Sequence, residues 1–186
     1  MATKSTIFKA SLAIADIDHA YYANHDFTLA RHPSETDDRM MIRLCALALH
    51  AHQLQTDCAG DGTLAFGAGL SNPDEPDVWL RDFTGRVRLW IEVGQPDEKP
   101  LGKASSKADA VALYCFGSSA DVWWRGIQGK LTRFHHLDVW NIPHKTTQAL
   151  LPLAQRSMNF NITLQQGVLM MGDASLQVDV EPVRWK

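Results

Sequence analysis

Residues 76–94 read PDVWLRDFTGRVRLWIEVG, and their alternation decides the fold. In the second half Val87, Leu89, Ile91 and Val93 make one apolar face, and Arg86, Arg88, Trp90 and Glu92 make the other. In the first half Val78 and Leu80 are apolar and alternate with Asp77, Trp79 and Arg81. A period of two marks a half-buried strand, so the stretch predicts an antiparallel hairpin turning at residues 82–85. That turn pairs Arg81 with Arg86 and Asp77 with Trp90, which makes the two apolar faces coincide. A slip by one residue would turn one of those faces to solvent, so burial selects the parity. Glu92 is then a diagonal neighbour of Asp77 on the same face, at roughly 7–8 Å between backbone positions. A two-residue change of register would bring the two directly opposite. Either arrangement lets two carboxylates share one hard cation, which is how Mg²⁺ is commonly held beside substrate phosphate.

Outward from this hairpin the chain reads as a mixed α/β, or α+β, fold. Phe8, Ala10, Leu12 and Ile14 share one face of a strand, and Tyr21, Ala23, Phe27 and Leu29 share one face of a second, with a turn over residues 15–19. Pro33 ends that hairpin. Ser34 is placed to N-cap a helix, with Asp37 three residues on in the manner of a capping box. Met40, Leu44, Leu47, Ala51 and Leu54 form a stripe that Ile42, Cys45 and Leu49 widen around most of the helix, so the helix belongs at the centre of the fold. Residues 57–76, rich in Gly, Asp, Asn and Pro, predict a loop. A helix is expected from Pro100 to about Ala112, leading into an apolar run to Phe116, then a helix over 119–130 and a strand over 137–142. Residues 157–184 predict an antiparallel ribbon.

Length and composition bound the rest. The 186 residues suit a single domain spanning 1–186, and 45% hydrophobic residues supply a substantial core. The opening MATKSTIFKA carries no long apolar run, which predicts a cytoplasmic protein without a membrane segment, expected to be a monomer. Cys45, Cys58 and Cys115 are too few and too widely spaced for a disulfide framework or a zinc motif, and Cys45 and Cys115 sit in apolar stretches as core filler. A net charge of −3 argues against a strong standing nucleic-acid binder, while leaving room for a local basic rim.

Pro76-Asp77, fourteen intervening residues, then Glu92-Val93-Gly94 resembles the PD-(D/E)xK motif of restriction-type nucleases, with Gly94 where that motif has lysine. LARHPSETDDRMMIRL (29–44), WIEVGQPDEK (90–99), GKAS (102–105) and Trp123-Trp124 resemble the YaeQ family of bacterial proteins. The resemblance implies a restriction-endonuclease-like variant with two roughly orthogonal β-sheets and flanking helices. It also implies a metal-dependent nuclease or phosphodiesterase acting on nucleic acid. Carried over, Asp77 and Glu92 are the metal-binding carboxylates for Mg²⁺ or Mn²⁺. Glu35 matches an acidic residue that many such nucleases place beside the metal. Lys103 is the candidate for the displaced lysine, to activate water or stabilise charge on phosphate, with Lys107 one turn further as runner-up. Arg39, Arg81, Arg88 and Gln95 are candidate phosphate-binding or orienting groups.

Each of these residues also has a plainer reading. Glu35 can complement the helix dipole and pair with Arg39 at i, i+4. Lys103 can be a solvated helix residue, and Arg81, Arg86 and Arg88 can neutralise the acids whose face they share. Trp90, Trp123 and Trp124 read as packing rather than base-stacking residues. His50 and His52, at i, i+2, do not share a helix face, and His135-His136 point to opposite sides of a strand, so neither pair suits a metal. Gly60, Gly62, Gly67 and Gly69 lack the lysine and context of a phosphate loop. The alternative function is a catalytically inactive nuclease-fold protein that serves as an interaction or regulatory module.

Overall fold

Apolar alternation along the first hairpin gives β1 (Thr6–Asp16) and β2 (Tyr21–Arg31), paired antiparallel with Phe8 opposite Leu29 and Ala10 opposite Phe27. The computed structural model describes residues 5–68, 70, 72 and 74–186; the chain's opening four residues and Gly69 of the glycine-bearing loop lie outside these. Phe8, Ala10, Leu12 and Ile14 are all buried, as their spacing predicts.

Helix α1 (Asp37–His50) follows, and every residue from Met40 to Ala48 is buried. It contacts β4 (Val78–Asp82), β5 (Val87–Val93) and β9 (Val168–Gly172), which belong to two different sheets, so it fills the space between them. That position explains why its apolar surface runs nearly all round. The expected cap differs: Thr36 is the N-cap residue, without a side-chain cap bond, and the Ser34 hydroxyl meets His32 Nδ1 at 2.6 Å instead.

The elements between and after these are α2 (Gln53–Thr56), β3 (Gly62–Phe66), α3 (Glu98–Lys107), β6 (Ala108–Phe116), α4 (Ala120–Leu131), β7 (Leu137–Ile142), α5 (His144–Leu150), β8 (Ser157–Gln165), β10 (Gln177–Val180) and β11 (Val183–Arg184). One sheet has five strands in the order β10-β9-β8-β1-β2, and the other has six in the order β11-β7-β6-β5-β4-β3. The first sheet packs one face on the common core. The second is covered on both faces, by that core and by a separate cluster in which Leu101, Ala104, Ile127 and Leu131 of α3 and α4 pack on Val111, Leu113 and Val139.

Four local expectations change. The stretch 57–76 contains β3, because Thr63, Leu64 and Ala65 complete an edge against Arg81, Leu80 and Trp79. The helix expected to Ala112 ends at Lys107, since Ala108 to Phe116 pair in parallel with β5 and β7 and are worth more as a central strand. Helix α5 is an addition to the elements read from sequence. The C-terminal ribbon is antiparallel through β8, β9 and β10, but β8 also joins β1 in parallel and β11 crosses to β7 of the other sheet. All three cysteines are buried free thiols. Among the described residues no helix is long and apolar enough to cross a membrane.

Candidate functional site

The β4–β5 register decides where the carboxylates stand. Val78 pairs with Ile91, Trp79 with Trp90 and Leu80 with Leu89, whereas Arg81 pairs with Val87. The turn therefore leaves an odd residue, and the irregularity at Leu80/Arg81 absorbs Arg88 as a bulge. Parity survives, but the register moves two residues from the one expected. The regular pairing ends at Val78: the Asp77 N–H donates to the Ile91 carbonyl at 3.0 Å, and its carboxylate accepts from the Val93 N–H, beside Glu92 rather than opposite Trp90.

Asp77 is buried and fully engaged. Arg39 Nη2 donates to both carboxylate oxygens at 2.8 Å, the backbone N–H of Val93 donates to Oδ2 at 2.8 Å, and Arg43 Nε lies 3.5 Å from Oδ1. Glu35 is buried beside it. It accepts from Arg39 Nη1 at 2.7 Å and from Arg43 Nη1 at 3.1 and 3.2 Å. Two acids and two arginines thus form a neutral buried quartet. The Glu35–Arg39 pair, expected at i, i+4, is part of it. Removing one member would strand a buried charge at a cost of about 3–5 kcal/mol.

Arg43 was not among the residues singled out from sequence. Its side chain is 0% exposed, and its guanidinium also reaches the Gly67 carbonyl at 3.3 Å and the Phe66 ring at 5.2 Å. The signal was present: a lone arginine inside the apolar run Met40–Leu47 requires buried acids to meet it.

Glu92 stands outside the quartet. Its hydrogen-bond partner among the described residues is Trp90, whose indole N–H donates to Oε1 at 2.6 Å. Burial, and then the negative charge of Asp77, push its carboxyl up to about 7, against the smaller pull of Trp90 and Arg39. Asp77 and Glu92 therefore feel one another directly.

The candidate lysine is elsewhere. Lys103 forms an ion pair with Asp74, and both are exposed. Lys107 places its ammonium 5.7 Å from the centre of the Trp90 ring, which makes it the lysine adjoining Glu92 through that indole. Gly94 itself has φ +123, and a Cβ there would meet no atom within 4 Å. Backbone conformation rather than crowding excludes the motif lysine from this position.

The other expected phosphate contacts are committed. Arg86 and Arg88 both pair with Asp109 on β6, at 2.6 and 3.0 Å, not with the Asp77–Glu92 carboxylates. Arg81 stacks on Trp79. Gln95 donates to the Phe116 carbonyl at 2.8 Å and accepts from Ser119 at 3.1 Å, so it ties β5 to the end of β6. Trp123 donates to the Pro96 carbonyl at 3.1 Å, and Trp124 stacks on Trp185, which makes both structural contacts.

Helix α1 wedged between two sheets, with acids at the start of β4 and on β5, defines a two-sheet mixed α/β domain. More particularly, the chain belongs to the YaeQ family, whose model, described as YaeQ protein, matches residues 1–182. The YaeQ proteins of Salmonella typhi and Escherichia coli (strain K12) are each 38% identical over 187 residues, covering 100% of this chain and 98% of theirs. The crystal structure of YaeQ protein from Xanthomonas axonopodis pv. citri is similar at TM-score 0.87 and 41% identity, over 98% of both chains. That from Pseudomonas syringae gives 0.88 at 31% identity, over 98% of this chain and 96% of its own.

Proposed function

We propose that the chain is a divalent-metal-dependent phosphodiesterase acting on nucleic acid, with Asp77 and Glu92 as the carboxylates that take Mg²⁺ or Mn²⁺. The observation that carries this reading is that the Asp77 carboxylate, bonded to the Val93 N–H, lies near enough to Glu92 for its charge to push the Glu92 carboxyl up. The two repel, and Glu92 has no cationic hydrogen-bond partner among the described residues.

The donor set fits a hard cation on one condition. The Arg39 guanidinium lies across both Asp77 oxygens, so it must give way for a cation to enter. Arg39 is the member able to do so, since its side chain is 13% exposed where Arg43 is 0%. Glu35 stays with Arg43 and holds that arginine in place, which makes it a supporting residue rather than a third ligand. Bound at Asp77 and Glu92, the ion would polarise a phosphate and lower the pKa of an attacking water. The displaced Arg39 fork is suited to grip phosphate oxygens. Lys107 replaces Lys103 as the lysine assigned to charge building on phosphate.

A second reading, an inactive nuclease-fold interaction module, is favoured by Gly94 and by the arginines that already neutralise Asp77. Titration with Mg²⁺ and Mn²⁺, followed by incubation with short single- and double-stranded DNA and RNA, separates the two. The enzyme reading expects cleavage that chelator and Glu92→Gln abolish, and that Lys107→Met weakens while Lys103→Met does not. Wild type that never cuts, with metal affinity indifferent to Asp77→Asn, gives the second reading.

A further inference from the structure

A second cluster of ligating side chains forms where the β1–β2 hairpin turns over the end of α1. Asp16 closes β1, His19 lies in the turn, and His52 follows α1. Their ligating atoms all lie within 4.8 Å of one another, and among the described residues this is the group of three His, Cys, Asp or Glu that does so. Asp16 is 1% exposed, and its Oδ1 is occupied by the backbone N–H of His19 at 3.0 Å. That bond turns Oδ2 toward the imidazoles, with His19 Nδ1 at 2.8 Å and His52 Nδ1 at 3.4 Å.

One proton does not account for this arrangement. A hydrogen bond from His19 satisfies Oδ2, but His52 Nδ1 is then a buried nitrogen with no hydrogen-bond partner. Buried polar atoms are rarely left so, because each costs about 1–3 kcal/mol. The His19 and His52 rings are also stacked face to face, with centroids 3.6 Å apart. The in-plane lone pairs of two stacked rings cannot meet at one ion, so His19, half-exposed in its turn, leaves the stack to ligate beside His52.

We propose that Asp16, His19 and His52 bind one borderline divalent transition ion of the Zn²⁺ type. Two imidazole nitrogens and one carboxylate oxygen are the donor set such ions prefer, whereas Mg²⁺ takes oxygen ligands. Donors about 2.0–2.2 Å from a tetrahedral ion stand about 3.3–3.6 Å apart. The His52–Asp16 separation already has that value, and His19 needs to open from hydrogen-bonding distance. Three protein ligands leave the fourth position to water. The ion would staple the hairpin turn to the end of α1. This site is independent of the Asp77–Glu92 reading, because it shares no residue with it.

The test uses the full chain, stripped with chelator and titrated with Zn²⁺ against a chromophoric competitor, and with Co²⁺ followed by visible absorption. One equivalent of Zn²⁺ is expected, unaffected by excess Mg²⁺, with affinity falling at least tenfold in both His52→Ala and His19→Ala. His19 is half-exposed in a turn, so its variant folds as wild type, which circular dichroism checks. Glu92→Gln retains the equivalent. Affinity unchanged in both histidine variants, no uptake by wild type at micromolar Zn²⁺, or a thiolate-to-cobalt band from a cysteine would each overturn the proposal.

Discussion

Replacing Glu92 by Gln should flatten part of the pH dependence of stability. In the folded chain burial and Asp77 hold the Glu92 carboxyl at about 7, against an ordinary value of 4.5. Between those values the folded state keeps a proton that the unfolded chain has released, so stability falls as pH rises through that window. Glu92 therefore contributes most below about pH 4.5 and has lost its contribution above about pH 7. At about 1.4 kcal/mol per pH unit the full window corresponds to about 3 kcal/mol, and partial exposure of the side chain reduces this to about 2 kcal/mol. Gln keeps an oxygen to accept the Trp90 N–H but does not titrate. Urea unfolding followed by tryptophan fluorescence at pH 5 and pH 8 isolates the effect, because the other groups cancel between wild type and variant. Wild type should lose about 2 kcal/mol more than Glu92→Gln between the two conditions. Parallel pH profiles would refute the argument that Asp77 and burial destabilise the charged Glu92.

Arg43→Met should cost about 3–5 kcal/mol in urea unfolding, because it leaves Glu35 and Asp77 buried with one cation between them; a loss under about 1 kcal/mol would show that the quartet is not coupled. Gly94→Ala should destabilise by about 1–2 kcal/mol through backbone strain at positive φ, read as a lower thermal midpoint, and unchanged stability would mean the chain leaves that conformation freely. Lys103→Met should change stability by no more than about 0.5 kcal/mol, since an exposed pair with Asp74 contributes little; a larger loss would place Lys103 in the core of the centre.

Some of this was legible without coordinates. The all-round apolar surface of Met40–Leu49 placed α1 in the middle, and alternation gave the faces of the β1–β2 and β4–β5 hairpins. Parity along Val78–Leu80 was right, because a half-buried strand cannot turn its valines and leucines to water. Register was not legible, since the bulge that takes up Arg88 arises from how the turn closes and leaves the alternation intact. Lys103 was a reasonable candidate by distance along the chain, but a flexible side chain goes to the nearest acid, and Asp74 on the preceding loop was nearer.

What the sequence determined by itself was which side of each element faces inward, because periodicity is a local property enforced by burial. Only the tertiary structure decided which charges meet. The Glu35–Arg39–Asp77–Arg43 quartet joins α1 to a strand mouth, and the Asp16–His19–His52 cluster joins a hairpin turn to a helix end. Such meetings follow from how layers stack, and desolvation then makes pairing obligatory for whatever charges the stacking has enclosed.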